Sequence, residues 1–206
     1  MQLFDAATLS NGAFEEILSF LRAGGVIGFP TDTAYGLGAD PFSEPAVRRI
    51  FEIKGRPEDK PILLLVNSIE MAQSVAAVSD TALAAAARFW PGPLTMILPA
   101  RPTVPSLVTA GTRTIGVRWP VAPFAARLMS ALNGPITATS ANRSGMESCV
   151  TAEEVRTQLG DRLDMLVDGG PLPARGGSTL LDLTQGPPKI LREGPITAAD
   201  LHELLK

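Results

Sequence analysis

The chain has 206 residues, 45% of them hydrophobic, with 18 Lys and Arg against 21 Asp and Glu for a net charge of -3. That length allows one large or two small domains around a substantial core, and the charge excludes a protein that coats itself on nucleic acid through bulk cation content. One Cys and one His exclude an internal disulfide and a Cys/His zinc centre, and leave an imidazole-based triad only His202 to draw on.

In chain order, the N-terminal MQLFDAATLSNG has no basic start followed by an apolar stretch, so no signal peptide is expected. No run reaches the ~18 apolar residues of a membrane span, and a soluble cytoplasmic protein is the expectation. Phe14, Ile17, Leu18 and Leu21 form a helical stripe closed by Gly24 and Gly25. The spacing then predicts a strand over VIGFP (26–30), a Gly-containing loop, a helix over 44–54 and an apolar strand over ILLLV (62–66). An Ala-rich helix around 80–90, strands at 94–100 and 114–119, a helix at 123–132 and a strand at 135–141 follow. A capped helix opens at TAEEV (151–155). Three closely spaced strands near 165–169, 178–184 and 189–193 precede a closing helix capped by Thr197 and Asp200. The expectation is one α/β domain over 1–206 whose sheet mixes antiparallel and parallel pairs. Cys149 reads as inert and His202 as a solvated helix residue.

Neither G-x-x-x-x-G-K-[ST] nor G-x-G-x-x-G occurs, so a phosphate site must be built another way. Several polar groups are spaced to share strand faces. Thr31, Thr33 and Tyr35 are two apart, and in TIGVRW (114–119) Thr114, Gly116 and Arg118 fall opposite Ile115, Val117 and Trp119. A ligand wall and an ordinary solvent face both fit that pattern. TATSANRSG (137–145) ends in hydroxyls, an amide and glycine suited to an anion, or to a polar turn. At KGRP (54–57) Gly55 can cap a helix and Pro57 forbids its continuation. Lys54, Arg56 and Lys60 then crowd a corner before a buried strand, as phosphate ligands or as cations placed against a helix dipole. The basic residues are 14 Arg to 4 Lys, and arginine grips carboxylate and phosphate oxygens with paired hydrogen bonds.

Seven blocks in order, FPTDTAYGLGADP (29–41), FEIKGRPEDKP (51–61), FWPGPLT (89–95), TIGVRWP (114–120), TSANRSG (139–145), GSTLLDLT (177–184) and ILREG (190–194), resemble the YrdC-like family of threonylcarbamoyl-AMP synthases over essentially the whole chain. The resemblance implies a twisted open α/β sheet with a cationic cavity on one face. It also implies an enzyme that condenses L-threonine, bicarbonate and ATP into threonylcarbamoyl-adenylate and pyrophosphate. The product then passes to partner proteins that modify the adenosine beside the anticodon of certain tRNAs.

Carried over by position, Lys54 and Arg56 are the family's K-x-R pair and Ser140 and Asn142 its S-x-N pair, the catalytic set. Arg56, Lys60, Thr114, Ser140, Ser148 and Arg192 match ATP contacts. Thr33, Arg118, Ala138 and Ser178 match positions around threonine, with Arg118 facing its carboxylate. Mg²⁺ is expected with the nucleotide; Asp32 and Asp40 suit either that metal or turns, and its ligands stay open. The family often has His where this chain has Leu65, which leaves open an enzyme for another carbamoyl substrate. The chain is expected to be a short, single-domain member. An RNA-binding module for tRNA or double-stranded RNA is the alternative of another class, set against only 5% aromatic residues for base stacking.

Overall fold

Alternating apolar residues with short polar turns build a sheet with one face buried throughout and the other buried in part, as the computed structural model shows for residues 1–173 and 176–204. The elements are β1 (Gln2–Asp5), α1 (Asn11–Arg22), β2 (Ile27–Pro30), β3 (Tyr35–Gly38), α2 (Glu44–Lys54) and β4 (Leu63–Leu65). They continue through α3 (Ile69–Val75), α4 (Asp80–Phe89), β5 (Leu94–Pro99), α5 (Ser106–Thr109), β6 (Thr114–Arg118) and α6 (Pro123–Leu132). The last are β7 (Ile136–Ser140), α7 (Ala152–Leu159), β8 (Met165–Asp168), β9 (Thr179–Asp182) and β10 (Lys189–Arg192).

Among the described residues the strands form one open sheet in the order β1-β8-β2-β3-β7-β4-β6-β5-β9-β10. Parallel pairs (β1 with β8, β8 with β2, β4 with β6, β5 with β9) are mixed with antiparallel ones, the mixed α/β architecture expected.

Successive residues of a strand go to different faces. Leu64, Met96, Ile115, Val117 and Leu166 join the cluster under α2, α4 and α7. Ile27, Phe29, Leu65, Ile136 and Val167 join the cluster under α1 and α6. The second cluster draws on β2, β7 and β8 and reaches only Leu65 of β4 among its fully buried members, so α1 and α6 leave the β4-β6-β5-β9 half of that face without a helical cover.

The helix over 44–54 ends as its sequence requires. Gly55 takes the left-handed conformation at φ +59°, and the Arg56 N–H closes on Phe51 O at 3.0 Å, a Schellman-type stop. Elsewhere the fold departs from the pattern. Residues 31–34 are a turn rather than strand, because the Thr31 hydroxyl bonds Ala34 O at 2.6 Å and accepts from the Thr33 and Ala34 N–H groups. The strand begins at Tyr35 and has the sequence YGLG, weak in β-propensity yet central in the sheet. A Cβ on Gly38 would lie 2.6 Å from Phe29 and 2.7 Å from Ile136, so packing demands the glycine. β1 escapes notice because it is an edge strand with only Phe4 buried. At the C-terminal side, Thr197 and Asp200 do exchange the capping-box bonds, Thr197 N–H to Asp200 Oδ2 at 2.8 Å and Asp200 N–H to Thr197 Oγ1 at 3.3 Å. The chain that follows to Leu204 makes turns instead of the expected α-helix, and residues 205–206 of that prediction lie outside the described residues.

Tyr35 ties the centre of the sheet to β8. Its fully buried hydroxyl lies 2.8 Å from Gly170 O and 3.0 Å from Asp168 Oδ1, and accepts from Gly169 N at 3.0 Å. Burial, with the nearby Asp168 carboxylate, pushes the phenol up to about 12. Tyr35→Phe is expected to cost about 1–3 kcal/mol, because it leaves Gly169 N–H without its acceptor. The urea midpoint reads it, and an unchanged midpoint would refute the tie.

Candidate active site

Where no helix covers the sheet, the exposed face carries a different set of side chains. Leu63 and Leu65 of β4, Thr95 and Ile97 of β5, Gly116 and Arg118 of β6, Ala138 and Ser140 of β7 and Leu180 of β9 all line one cavity of about 390 Å³. On β4, β5 and β6 the two lining residues are two apart and the residues between them, Leu64, Met96 and Val117, are core, whereas on β7 Thr139 also lines the cavity. A Cβ on Gly116 would lie 3.2 Å from Leu63 Cβ and 3.3 Å from Thr95 Cγ2, so glycine keeps the floor low where β4, β6 and β5 meet.

Three guanidinium groups from separate parts of the chain reach this cavity: Arg56, Arg118 and Arg192. Arg56, just past the αL stop of α2, donates from Nη1 to Thr139 Oγ1 at 3.1 Å and from Nη2 to Pro61 O at 2.8 Å. Its buried Nε has no partner. Arg192 bends back over Gly177, donating from Nε and Nη2 to Ser178 O at 3.2 and 2.8 Å. A Cβ on Gly177 would fall 2.4 Å from that guanidinium, so only glycine permits the approach. Arg118, 4% exposed, donates to Gly92 O, Thr33 Oγ1 and Asp32 Oδ1. Burial pulls Arg56 and Arg118 below the ordinary guanidinium range, opposed by Asp59 and Asp32 respectively; both stay charged, as arginine does in proteins.

The other predicted residues divide into lining and support. Thr33, Ala138, Ser140, Ser148 and Ser178 line the cavity, and Ser178 shares a 2.6 Å hydroxyl contact with Thr95. Lys54 and Asn142 lie beneath the wall. The Lys54 ammonium, 3% exposed, donates to the carbonyls of Ser140 and, at 2.8 Å, Asn142, while Ser144 N–H returns to Lys54 O. Burial, then the neighbouring Arg56, lowers Lys54 to about 7. Asn142 bonds through Nδ2 to Arg143 O and Met146 O, and its buried Oδ1 is unpartnered. Lys60 is exposed, and Thr114 sits at the start of β6 with its hydroxyl 3.0 Å from that of Thr112. Neither lines the cavity.

Thr95, Thr139 and Gly177 were not singled out from the sequence; the two-residue spacing of Thr95 and Ile97 on β5 and the glycine before Ser178 are the signals that could have found two of them. Among the described residues no group of three or more His, Cys, Asp or Glu gathers to hold a metal. Asp40 Oδ1 accepts from Phe42 N–H in a turn, and Asp32 faces Arg118.

A second cavity of about 680 Å³ lies where β1, β2 and β8 end, bordered by Asp5, Asp168 and Arg127 among mostly apolar residues. Its guanidinium is stacked on Phe14 at 3.8 Å. Though larger, it lacks converging cations, and the three-arginine cavity is the one equipped for polyanion chemistry.

The Sua5–YciO–YrdC family model, described as "Telomere recombination", matches residues 19–194. A threonylcarbamoyl-AMP synthase of Pyrococcus abyssi is 40% identical over 187 residues, covering 90% of this chain and 55% of that protein. One of Thiobacillus denitrificans is 41% identical over 182 residues, covering 88% of this chain and 95% of that protein. The crystal structure of P. abyssi Sua5 complexed with L-threonine superposes with a TM-score of 0.92 at 36% identity, over 99% of this chain and 60% of that one. The chain thus spans less than two thirds of the P. abyssi protein's length.

Proposed function

Because the chain belongs to the Sua5–YciO–YrdC family, we propose that it condenses L-threonine, bicarbonate and ATP into threonylcarbamoyl-AMP and pyrophosphate. The observation that carries this reading is the convergence of Arg56, Arg118 and Arg192 on one hydroxyl-lined cavity. On this proposal the threonine amine, converted by bicarbonate to a carbamate with loss of water, attacks through a carbamate oxygen. A bond forms from that oxygen to the α-phosphorus, and the bond from phosphorus to the pyrophosphate oxygen breaks.

The threonine carbamate, bicarbonate and ATP are all anionic, so the protein's task is to neutralise charge and hold the groups in line. Arg56, Arg192, Ser140 and Ser148, with Lys60 and Thr114 at the approach, are assigned to the nucleotide. Arg118, Thr33, Ala138 and Ser178 are assigned to threonine. Lys54 and Asn142 hold the 140–146 loop that presents Ser140. Among the described residues no side-chain cluster gathers to cage a resident metal, and Mg²⁺ enters this proposal as an ion brought on the triphosphate, where it shields phosphate charge.

Among the described residues no helix is long and apolar enough to cross a membrane. A cytoplasmic site of action and delivery of the adenylate to tRNA-modifying proteins are part of the proposal.

Pyrophosphate release by the purified protein tests it, omitting each substrate in turn. Release is expected to require threonine and bicarbonate together; release that persists without either one overturns the proposal. Running serine and other amino acids beside threonine reads the subsite walled by Leu63, Leu65 and Ala138.

A further inference from the structure

We propose that Asp32 is a positioning residue for this reaction: its carboxylate, set behind the cavity wall, fixes the Arg118 guanidinium so that its remaining N–H groups meet the carboxylate of the amino-acid substrate. The proposal rests on the reading of the cavity as the synthase site.

Arg118 stands at the end of β6 with its side chain 5% exposed, and Asp32 is 16% exposed beside it. A guanidinium has five N–H groups. Three are committed: Nε to Gly92 O at 3.1 Å, Nη1 to Thr33 Oγ1 at 2.7 Å and Nη2 to Asp32 Oδ1 at 2.5 Å. One N–H therefore remains on each terminal nitrogen, and these two are the donors left for a carboxylate in the cavity.

Asp32 is held in turn by its own loop. The Thr31 hydroxyl bonds Ala34 O and receives the Thr33 and Ala34 N–H groups, which closes the turn around residue 32. Thr31, Thr33 and Ala34 line the cavity while Asp32 does not, so the carboxylate acts through Arg118 and leaves the substrate itself untouched.

Charge points the same way. Arg192 is close enough to oppose the Arg118 charge, and burial opposes it more strongly. An unpaired buried cation in that position is costly, and Asp32 offsets both effects. Without the carboxylate, the guanidinium keeps two anchors and is free to rotate about them toward the triphosphate.

The test is steady-state kinetics of Asp32→Asn, an isosteric change, alone and in an Arg118→Gln background. In the single variant the KM for threonine is expected to rise about tenfold, the size of one charge-assisted hydrogen bond, while the KM for ATP stays within about twofold. In the Arg118→Gln background, adding Asp32→Asn should move the threonine KM by no more than about twofold, because the partner through which it acts is gone. An unchanged threonine KM in the single variant, an equal rise in both KM values, or additive effects in the double variant would each overturn the role. If Asp32→Asn melts below the assay temperature, Asp32→Ser takes its place with the same expectations. Wild-type release is read first: independence of threonine overturns the synthase reading and this proposal with it, whereas normal wild-type behaviour with an unmoved variant overturns Asp32 alone.

Discussion

Arg56→Ala is expected to lower pyrophosphate release at saturating substrates by about 10²- to 10³-fold, the range seen when one preorganised electrostatic contact to a transition state is removed. The residue sits where α2 must stop. Gly55 turns the chain at φ +59°, and the guanidinium is then pinned to Thr139 Oγ1 and Pro61 O at the cavity wall. The Coulomb energy of such a group is large because it is half shielded from water, and its orientation is prepaid by those two bonds.

Arg56→Lys should recover little. An ammonium has no planar fork with which to bond Thr139, Pro61 and a phosphate oxygen together. Circular dichroism and the melting temperature establish that the variants are folded, and the pyrophosphate assay gives the rate. Turnover of folded Arg56→Ala within about threefold of wild type would remove the residue from the phosphate side of the site, since that ratio is worth under ~1 kcal/mol of barrier.

Lys54→Met is expected to abolish most turnover as well, by a different route. Lys54 lines nothing: its ammonium is spent on the carbonyls of Ser140 and Asn142, and its own carbonyl accepts Ser144 N–H. Methionine fills similar space but withdraws the ammonium from both carbonyls, leaving Ser140 O only the Asn142 N–H, so the 140–146 loop loses its tie to α2 and Ser140 its aim. A fall of about 10²-fold in kcat is predicted, consistent with displacement of a catalytic group by an ångström or so.

The same residue makes a prediction about pH. Folding lowers Lys54 to about 7 from its ordinary 10.5, so between those values the unfolded chain binds the proton that the folded chain has released. Stability contributed by this group therefore rises with pH across that window, by at most about 1.4 kcal/mol per pH unit, and is flat below it. Urea midpoints taken from pH 6 to about pH 9.5, below the range where Tyr35 matters, should climb in wild type and lose that climb in Lys54→Met. Identical pH profiles would show that the ammonium titrates normally.

These residues also mark how far local pattern reaches. In TIGVRW the two-residue period placed Gly116 and Arg118 opposite Ile115 and Val117, and that is how β6 is arranged. The stop of α2 followed from Gly55 and Pro57, because helix termination is settled within a few residues. The helical stripe through Phe14, Ile17, Leu18 and Leu21 likewise became the buried face of α1. Patterns of this kind are readable because backbone sterics and apolar periodicity act over one or two turns of chain.

Other features depended on partners far away. YGLG carries little strand preference, and it is a central strand because β2 and β7 flank it and Phe29 and Ile136 fill the space beside Gly38. The closing helix was drawn from a real capping box, yet one good cap does not make a stable helix without further packing. Lys54 and Arg56 look equivalent in KGRP, two cations a residue apart. The fold separates them, since one points at carbonyls of a loop 86 and 88 residues away and the other at the open cavity.

Asp32 shows the same division. The sequence left it open between a metal ligand and a turn residue, and its partner comes from β6, 86 residues along the chain. Local composition thus specified the elements, their ends and the chemistry available on each face. Which cation stays free, which is consumed, and which half of the sheet is left uncovered were set by long-range packing, because burial and charge pairing depend on the neighbours that folding supplies.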